Sequence, residues 1–267
     1  MVKIMKLTEN HQSNVNLNGN RPNIVWVFLD QCRADVLHCY GHPFIETPNI
    51  DSMAERGVLF ANAYSQAPVC VPARVSMVSG RYPHQTGVYE NHQSMVPEDS
   101  LLLRTFREFG YKTANVGKVH LGIEPSEAGF DEHRDIPKKP SNAPDGYPDG
   151  WPWRRFEVEG FPRPVIFGTD TGSCDRTYSA IGVHHSIDIF SNHSFNNGPF
   201  MLRLSLDQPH TPVTPPQPYD RMYASRTSVP RRRSFKFPPY RSDKLTLSLA
   251  QRCIARSADS LALLEIL

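Results

Sequence analysis

Three segments along the chain read as strands, and each ends abruptly in polar residues. Residues 24–29, Ile-Val-Trp-Val-Phe-Leu, are an unbroken run between Pro22 and Asp30-Gln31, a pattern that predicts a central strand buried on both faces. Tyr111 to Val116 predicts a second strand, ending at Gly117-Lys118. Phe200, Leu202, Leu204 and Leu206 alternate with Met201, Arg203 and Ser205, which predicts a strand of period two ending at Asp207-Gln208-Pro209-His210. A short strand over Val58 to Tyr64 is expected to feed the loop Ser65-Gln66-Ala67-Pro68. Between the strands lie helix signals. Thr47 caps and Pro48 opens a helix to Arg56 that Gly57 stops, with Ile50, Met53 and Ala54 facing inward. Pro72 and Gly80 bracket another, which puts Cys70 at or just before its N-terminus. Leu102, Phe106 and Phe109 have helical spacing up to Gly110. Ser173 to Phe190 predicts a helix interrupted by Gly182, with His184 and His185 on its surface, and Leu247, Ile254, Leu261 and Leu264 predict a closing helix from Asp243 to Leu267.

With 267 residues the chain is expected to form one α/β domain over residues 21–267, preceded by a polar, Asn-rich tail over residues 1–20. Residues 136–164 are rich in Pro, Gly and charge, with Trp151 and Trp153 set among Lys138, Lys139, Arg154 and Arg155. They predict a long surface insertion of the kind that lines the mouth of a rigid scaffold. A Pro-rich connection spans Pro212 to Pro239. Net charge is only +2, which argues against a nucleic-acid partner; Arg231, Arg232 and Arg233 are expected in a solvated loop. Five cysteines, at 32, 39, 70, 174 and 253, are odd in number and lack the paired spacing of a zinc site or disulfide framework. Together with the absence of an apolar leader or bilayer-length run, they lead to the expectation of a cytoplasmic protein with no membrane partner.

Chemistry enters at the run ends. In open α/β sheets ligands gather outside the carboxyl ends of strands, where Asp30, Gln31, Lys118, His120 and His210 fall. Cys70, at a helix N-terminus, sits where backbone N–H groups attract anions, and Arg74 one turn along carries a fork matched to tetrahedral oxyanions. A phosphate or sulfate ester fits such a place. Residue type alone leaves other readings open: a buried cysteine at a helix end, Asp30 as a turn residue, Lys118 and His120 in a solvated loop.

Cys70-Val71-Pro72-Ala73-Arg74 followed by Ser79-Gly80-Arg81-Tyr82-Pro83 resembles the signature of the type I sulfatases, in which the cysteine is oxidised to formylglycine by a maturation enzyme. Gly117-Lys118-Val119-His120-Leu121-Gly122 and Pro209-His210-Thr211-Pro212 are similar to further segments of that family. Asp30-Gln31 is instead shared with phosphonate monoester hydrolases. The resemblance implies an alkaline-phosphatase-like fold, a mostly parallel sheet sandwiched by helices, and hydrolysis of a sulfate monoester of a small molecule or glycan. It assigns Asp30, Gln31 and residue 70 to a divalent cation, Ca²⁺ before Mg²⁺ or Mn²⁺, because carboxylate and amide oxygens suit hard ions. By the same resemblance, formylglycine-70 attacks sulfur while Arg74 and Lys118 stabilise the nucleophile and the developing charge. His210 protonates the leaving alcohol, and His120 drives breakdown of the covalent sulfate.

The family's second metal-ligand pair and a further sulfate-binding lysine, which follow another strand, have no counterpart among these residues. This matches expectation for the N-terminal part of a family member, with Asp207 or a partner subunit as candidates to complete the coordination. An oligomer is left open. Two alternative functions remain: the same machinery acting on phosphonate or phosphate esters, and a truncated, inactive domain that binds anions or partners.

Overall fold

A computed structural model describes residues 21–136, 154–156, 165–170, 174–192 and 198–223. The strands are β1 (Ile24–Asp30), β2 (Lys112–Gly117), β3 (Glu132–Arg134), β4 (Arg154–Phe156), β5 (Val165–Phe167) and β6 (Phe200–Pro209). The α-helices are α1 (Pro48–Arg56), α2 (Cys70–Ser79), α3 (Pro83–Thr86), α4 (Leu101–Glu108) and α5 (Tyr178–Ser191). Four strands form one sheet in the order β1-β6-β2-β3, and every neighbouring pair in it is parallel. Parallel neighbours require crossovers, which place helices on both faces.

The core accordingly lies in two layers. On one face Val71, Val75 and Val78 of α2 and Leu103 of α4 pack against Met201, with Ile24 and Trp26 partly covered. On the other, Ile189 of α5 meets Ala114, Val116, Leu202, Leu204 and Leu206. Gly182, which interrupts the helix pattern in the sequence, lets α5 lie tight against the sheet: a Cβ there would lie 2.7 Å from Ile136 Cδ1 and 3.0 Å from Leu206 Cδ2. Tyr223 anchors a third, smaller cluster with Ile45, its hydroxyl accepting a hydrogen bond from Glu46 N at 3.0 Å.

Several expectations are corrected. The unbroken apolar run is the outer strand among those described, with Val25 50% and Val27 40% exposed. The central strand is β6, whose residues from Met201 to Leu206 are all buried, Arg203 included. Its alternation separates two covered faces of different polarity, not a core face from a solvent face. Val58 to Tyr64 is not a strand; Val58, Phe60 and Tyr64 are exposed on an irregular connection. Met53 points to solvent, and Leu103, not Leu102, is the fully buried residue of α4. Thr47 does stand at the N-cap of α1, but its hydroxyl donates to Asp51 Oδ1 at 2.9 Å and accepts from His38 N at 3.1 Å. β4, inside the expected insertion, pairs antiparallel with β5 just beyond its end; residues 137–153 and 157–164, and the helix expected after Asp243, lie outside the described residues.

Candidate active site

The site forms at the carboxyl ends of β1, β2 and β6, beside the N-terminus of α2. Val69 is extended (φ −116°, ψ 139°) and passes directly into α2, so Cys70 is its first helical residue. Pro72 fits the first turn, where it forfeits no internal hydrogen bond. Gly80, at φ 66°, closes the helix with its N–H on Ser76 O. One of the free N–H groups of that first turn, Val71 N, donates to Asn91 Oδ1 at 2.9 Å.

Arg74, 2% exposed, projects from α2 under the strand ends. Its Nη1 donates to Lys118 O at 2.9 Å and to Ser205 Oγ at 3.0 Å; its Nη2 lies 3.3 Å from Asp30 Oδ2. The guanidinium also covers the Phe28 ring, 4.6 Å from the centroid. Lys118 Nζ reaches the same Asp30 oxygen at 2.5 Å, and Cys70 Sγ is 3.8 Å from Asp30 Oδ1. Asp30 is therefore a buried carboxylate pinned by two cations with the Cys70 sulfur beside it. Burial alone would raise its pKa, but Lys118, Arg74 and His210 together hold it below the ordinary carboxylate value. Burial and the Asp30 charge push the Cys70 thiol up against the opposing pull of Lys118 and Arg74.

Both histidines from the sequence reading lie nearby. His120 has a left-handed backbone, φ 51°, and its Nδ1 is buried without a hydrogen-bond partner among the described residues. Burial, Lys118 and Arg74 pull it down to about 4, so at neutral pH it carries a free lone pair, as a base must. His210 follows β6 immediately, and Asp30 is in register with its neighbour Pro209. Its Nδ1 donates to Thr211 O at 2.6 Å, leaving Nε2 as the nitrogen available to a ligand. Gln31 is brought alongside in sequence only: it is exposed in a turn with φ 62°.

Two neighbours had no role in the sequence reading, and a third entered it only as a candidate to complete the coordination. Ser205 accepts from Arg74, and Gly117 permits the approach behind it. With φ 81°, a Cβ on Gly117 would lie 2.3 Å from Ser205 O. The third is Asp207. The β1–β6 register shifts from Leu29↔Leu206 to Asp30↔Pro209, so Asp207 and Gln208 bulge out of the pairing, and Asp207 Oδ1 comes within 3.5 Å of Lys118 Nζ. A bulge re-aims side chains where a ladder would hold them in line. The only signal in the sequence was position, a polar residue directly after an apolar run.

A divalent cation would find hard oxygen donors at Asp30 and at an oxygen-bearing residue 70, the chemistry Ca²⁺ or Mg²⁺ prefers. Among the described residues no three His, Cys, Asp or Glu side chains are grouped closely enough to hold a metal by themselves.

Comparison with known proteins decides the lineage. The family model described as Sulfatase matches residues 22–252. The chain belongs to the sulfatase family. An arylsulfatase of Clostridium perfringens is 31% identical over 229 residues, covering 76% of this chain and 46% of its own length. An ulvan-active sulfatase of Formosa agariphila is 29% identical over 214 residues, covering 78% of this chain and 40% of its own. This sulfatase chain thus spans less than half the length of the curated relatives it matches. The solved phosphonate monoester hydrolase of Agrobacterium radiobacter superposes with a TM-score of 0.59 at 23% identity, over 76% of this chain and 44% of that one. The two share the alkaline-phosphatase-like fold.

Proposed function

We propose that this chain carries the nucleophile side of a sulfate monoester hydrolase, with Cys70 converted to formylglycine by a maturation enzyme acting on Cys70-Val71-Pro72-Ala73-Arg74. One observation carries the reading: Arg74 and Lys118 converge on Asp30 directly beside Cys70. A buried guanidinium and a partly buried ammonium around one carboxylate, next to a helix N-terminus, suit a site that must accept further negative charge. The hydrated formylglycine would supply the nucleophilic hydroxyl, and a divalent cation held by Asp30 and residue 70, with Gln31 able to join only if its side chain turns in from its exposed position, would supply Lewis acidity; Ca²⁺ is favoured over Mg²⁺ or Mn²⁺.

The chain's own residues divide the remaining work. Arg74, rigid and buried, orients Lys118 through its carbonyl and offers charge to the ester oxygens. Lys118, on a flexible stem, follows that charge as it develops. His210, its Nδ1 committed to Thr211 O, presents Nε2 to the leaving alcohol and hands it a proton. His120, neutral, removes a proton from the second hydroxyl of residue 70 to free the product. The substrate is a sulfate ester of a small molecule or glycan.

Asp30-Gln31 favours a second reading, a phosphonate monoester or phosphodiester hydrolase on the same fold. Steady-state rates on matched aryl sulfate, phosphate diester and phosphonate monoester discriminate the two; sulfate is expected to win, and a strong preference for the phosphonate promotes the second. Peptide mass tests the nucleophile: after co-expression with an active maturation enzyme, the Cys70 peptide is expected to carry the aldehyde. An unmodified thiol throughout removes the assignment.

A further inference from the structure

We propose that Asp207 is a positioning residue that receives the Lys118 ammonium when Asp30 takes up a divalent cation. The inference rests on the reading of Asp30 as a cation ligand given above. Lys118 Nζ lies 2.5 Å from Asp30 Oδ2, and Arg74 Nη2 lies 3.3 Å from the same atom. A divalent ion bonds carboxylate oxygens at about 2.0–2.6 Å. An ammonium seated at hydrogen-bond distance on that carboxylate competes with it for the same lone pairs and repels it across a few ångströms of buried space. Arg74 is fixed by Ser205, by the Lys118 carbonyl and by the Phe28 ring beneath it. Lys118 is the cation free to move.

Its destination is already present. Asp207 Oδ1 is 3.5 Å from Lys118 Nζ. That oxygen is buried and makes no hydrogen bond among the described residues, although buried acceptors are ordinarily satisfied. The bulge at Asp207-Gln208 in β6 is what turns this carboxylate toward Lys118. A small rotation of the lysine stem shortens the 3.5 Å contact to a full charge-assisted hydrogen bond and clears the Asp30 carboxylate. The lysine stays in the site, poised for an ester oxygen. Asp207 acts through Lys118 and is not a metal ligand.

The test is calorimetric titration of the full 267-residue chain with Ca²⁺ alone, repeated with Mg²⁺ and Mn²⁺, on wild type, Asp207→Asn, Lys118→Met and the double variant. Asp207→Asn is expected to weaken Ca²⁺ binding about tenfold, because Lys118 then has no alternative to Asp30. In the Lys118→Met background the same substitution is expected to change affinity less than twofold. Asp207→Glu, which keeps the charge, is expected to recover most of the loss, and circular dichroism confirms that each variant is folded. Unchanged binding in Asp207→Asn overturns the proposal. So does an equal loss with and without Lys118, which makes Asp207 a direct ligand. Absence of binding of any of the three cations by the wild type overturns the cation reading of Asp30 itself, a different failure from the other two.

Discussion

Arg74 joins the stability of the site to its chemistry. It is 2% exposed and holds a carboxylate, a hydroxyl and a main-chain carbonyl that belong to three different strand ends. Replacing it with Met leaves Asp30 buried against Lys118 alone and strands Ser205 Oγ. Urea unfolding is expected to show a loss of about 3–5 kcal/mol, and adding Asp30→Asn is expected to recover part of it, since the uncompensated charge then disappears. His120 gives a pH signature. Its folded value of about 4 lies below the ordinary histidine value, so the unfolded chain binds the extra proton first. The stability that His120 contributes is present above about pH 6.5 and is lost as pH falls toward 4. Against His120→Gln, wild type is expected to lose about 1–2 kcal/mol more between pH 7.5 and 4.5, the figure being reduced for the partial exposure of the ring. Equal losses in both proteins refute the shift. At this scale Cys70, Arg74, Lys118, His120 and His210 were legible because each sits in a short segment with a recognisable pattern. Ser205 was not, and Asp207 was named only as a candidate to complete a coordination shell, because their placement beside Arg74 and Lys118 depends on a bulge and on an approach between strands that no local spacing encodes.

Elements were legible where local chemistry decides them and obscure where neighbours do. α2 begins and ends where Pro72 and Gly80 place it, because a missing N–H and a left-handed φ are properties of those residues alone. Strand rank was misjudged for the opposite reason. β1 is the more apolar, yet β6 is central, since rank depends on which strands flank it. Arg203 inverted the pattern further: its Nε donates to Asn115 Oδ1 at 2.7 Å and its guanidinium covers Phe130, 4.9 Å from the ring centroid, so a charged residue occupies an interior position that period two assigns to water. The contact of β2 with β6 depends on Gly117. Gly117→Ala puts a methyl against Ser205 O on a backbone at φ 81°, and thermal and urea unfolding are expected to register a loss of at least about 2 kcal/mol. A substitution that proves neutral would show that the strand ends can separate freely.

Across the whole molecule the two faces of the sheet differ in what they tolerate. The α5 side is mainly hydrocarbon, its buried Ser179 and Ser186 carrying no charge, whereas the α2 side carries a polar layer with a buried cation one residue behind the site. There Arg203 meets Asn115, and Asn115 Nδ2 in turn holds Gly117 O at 2.7 Å. Burial and the nearby Arg74 charge lower the Arg203 guanidinium to about 9, still a cation at neutral pH. Arg203→Ala, which leaves a void and an unpaired Asn115 oxygen, is expected to cost about 3 kcal/mol or more, and Arg203→Met, which refills the space, about 2 kcal/mol less. Denaturant midpoints of the two variants provide the comparison.

The strand order also dictates a timetable. β1 emerges first during synthesis, but its described sheet partner is β6, so Ile24 waits for Met201. Until then its Val-Trp-Val-Phe run has no ladder to join, and α2 has no Ser205 for Arg74 to grip. Pairings between such distant segments close slowly, because the loop entropy must be met before any contact offsets it. The Cys70–Ser79 segment is therefore translated long before the strand that holds it, and through that interval Cys70 has not yet been brought against Asp30 by the contact of Arg74 with Ser205.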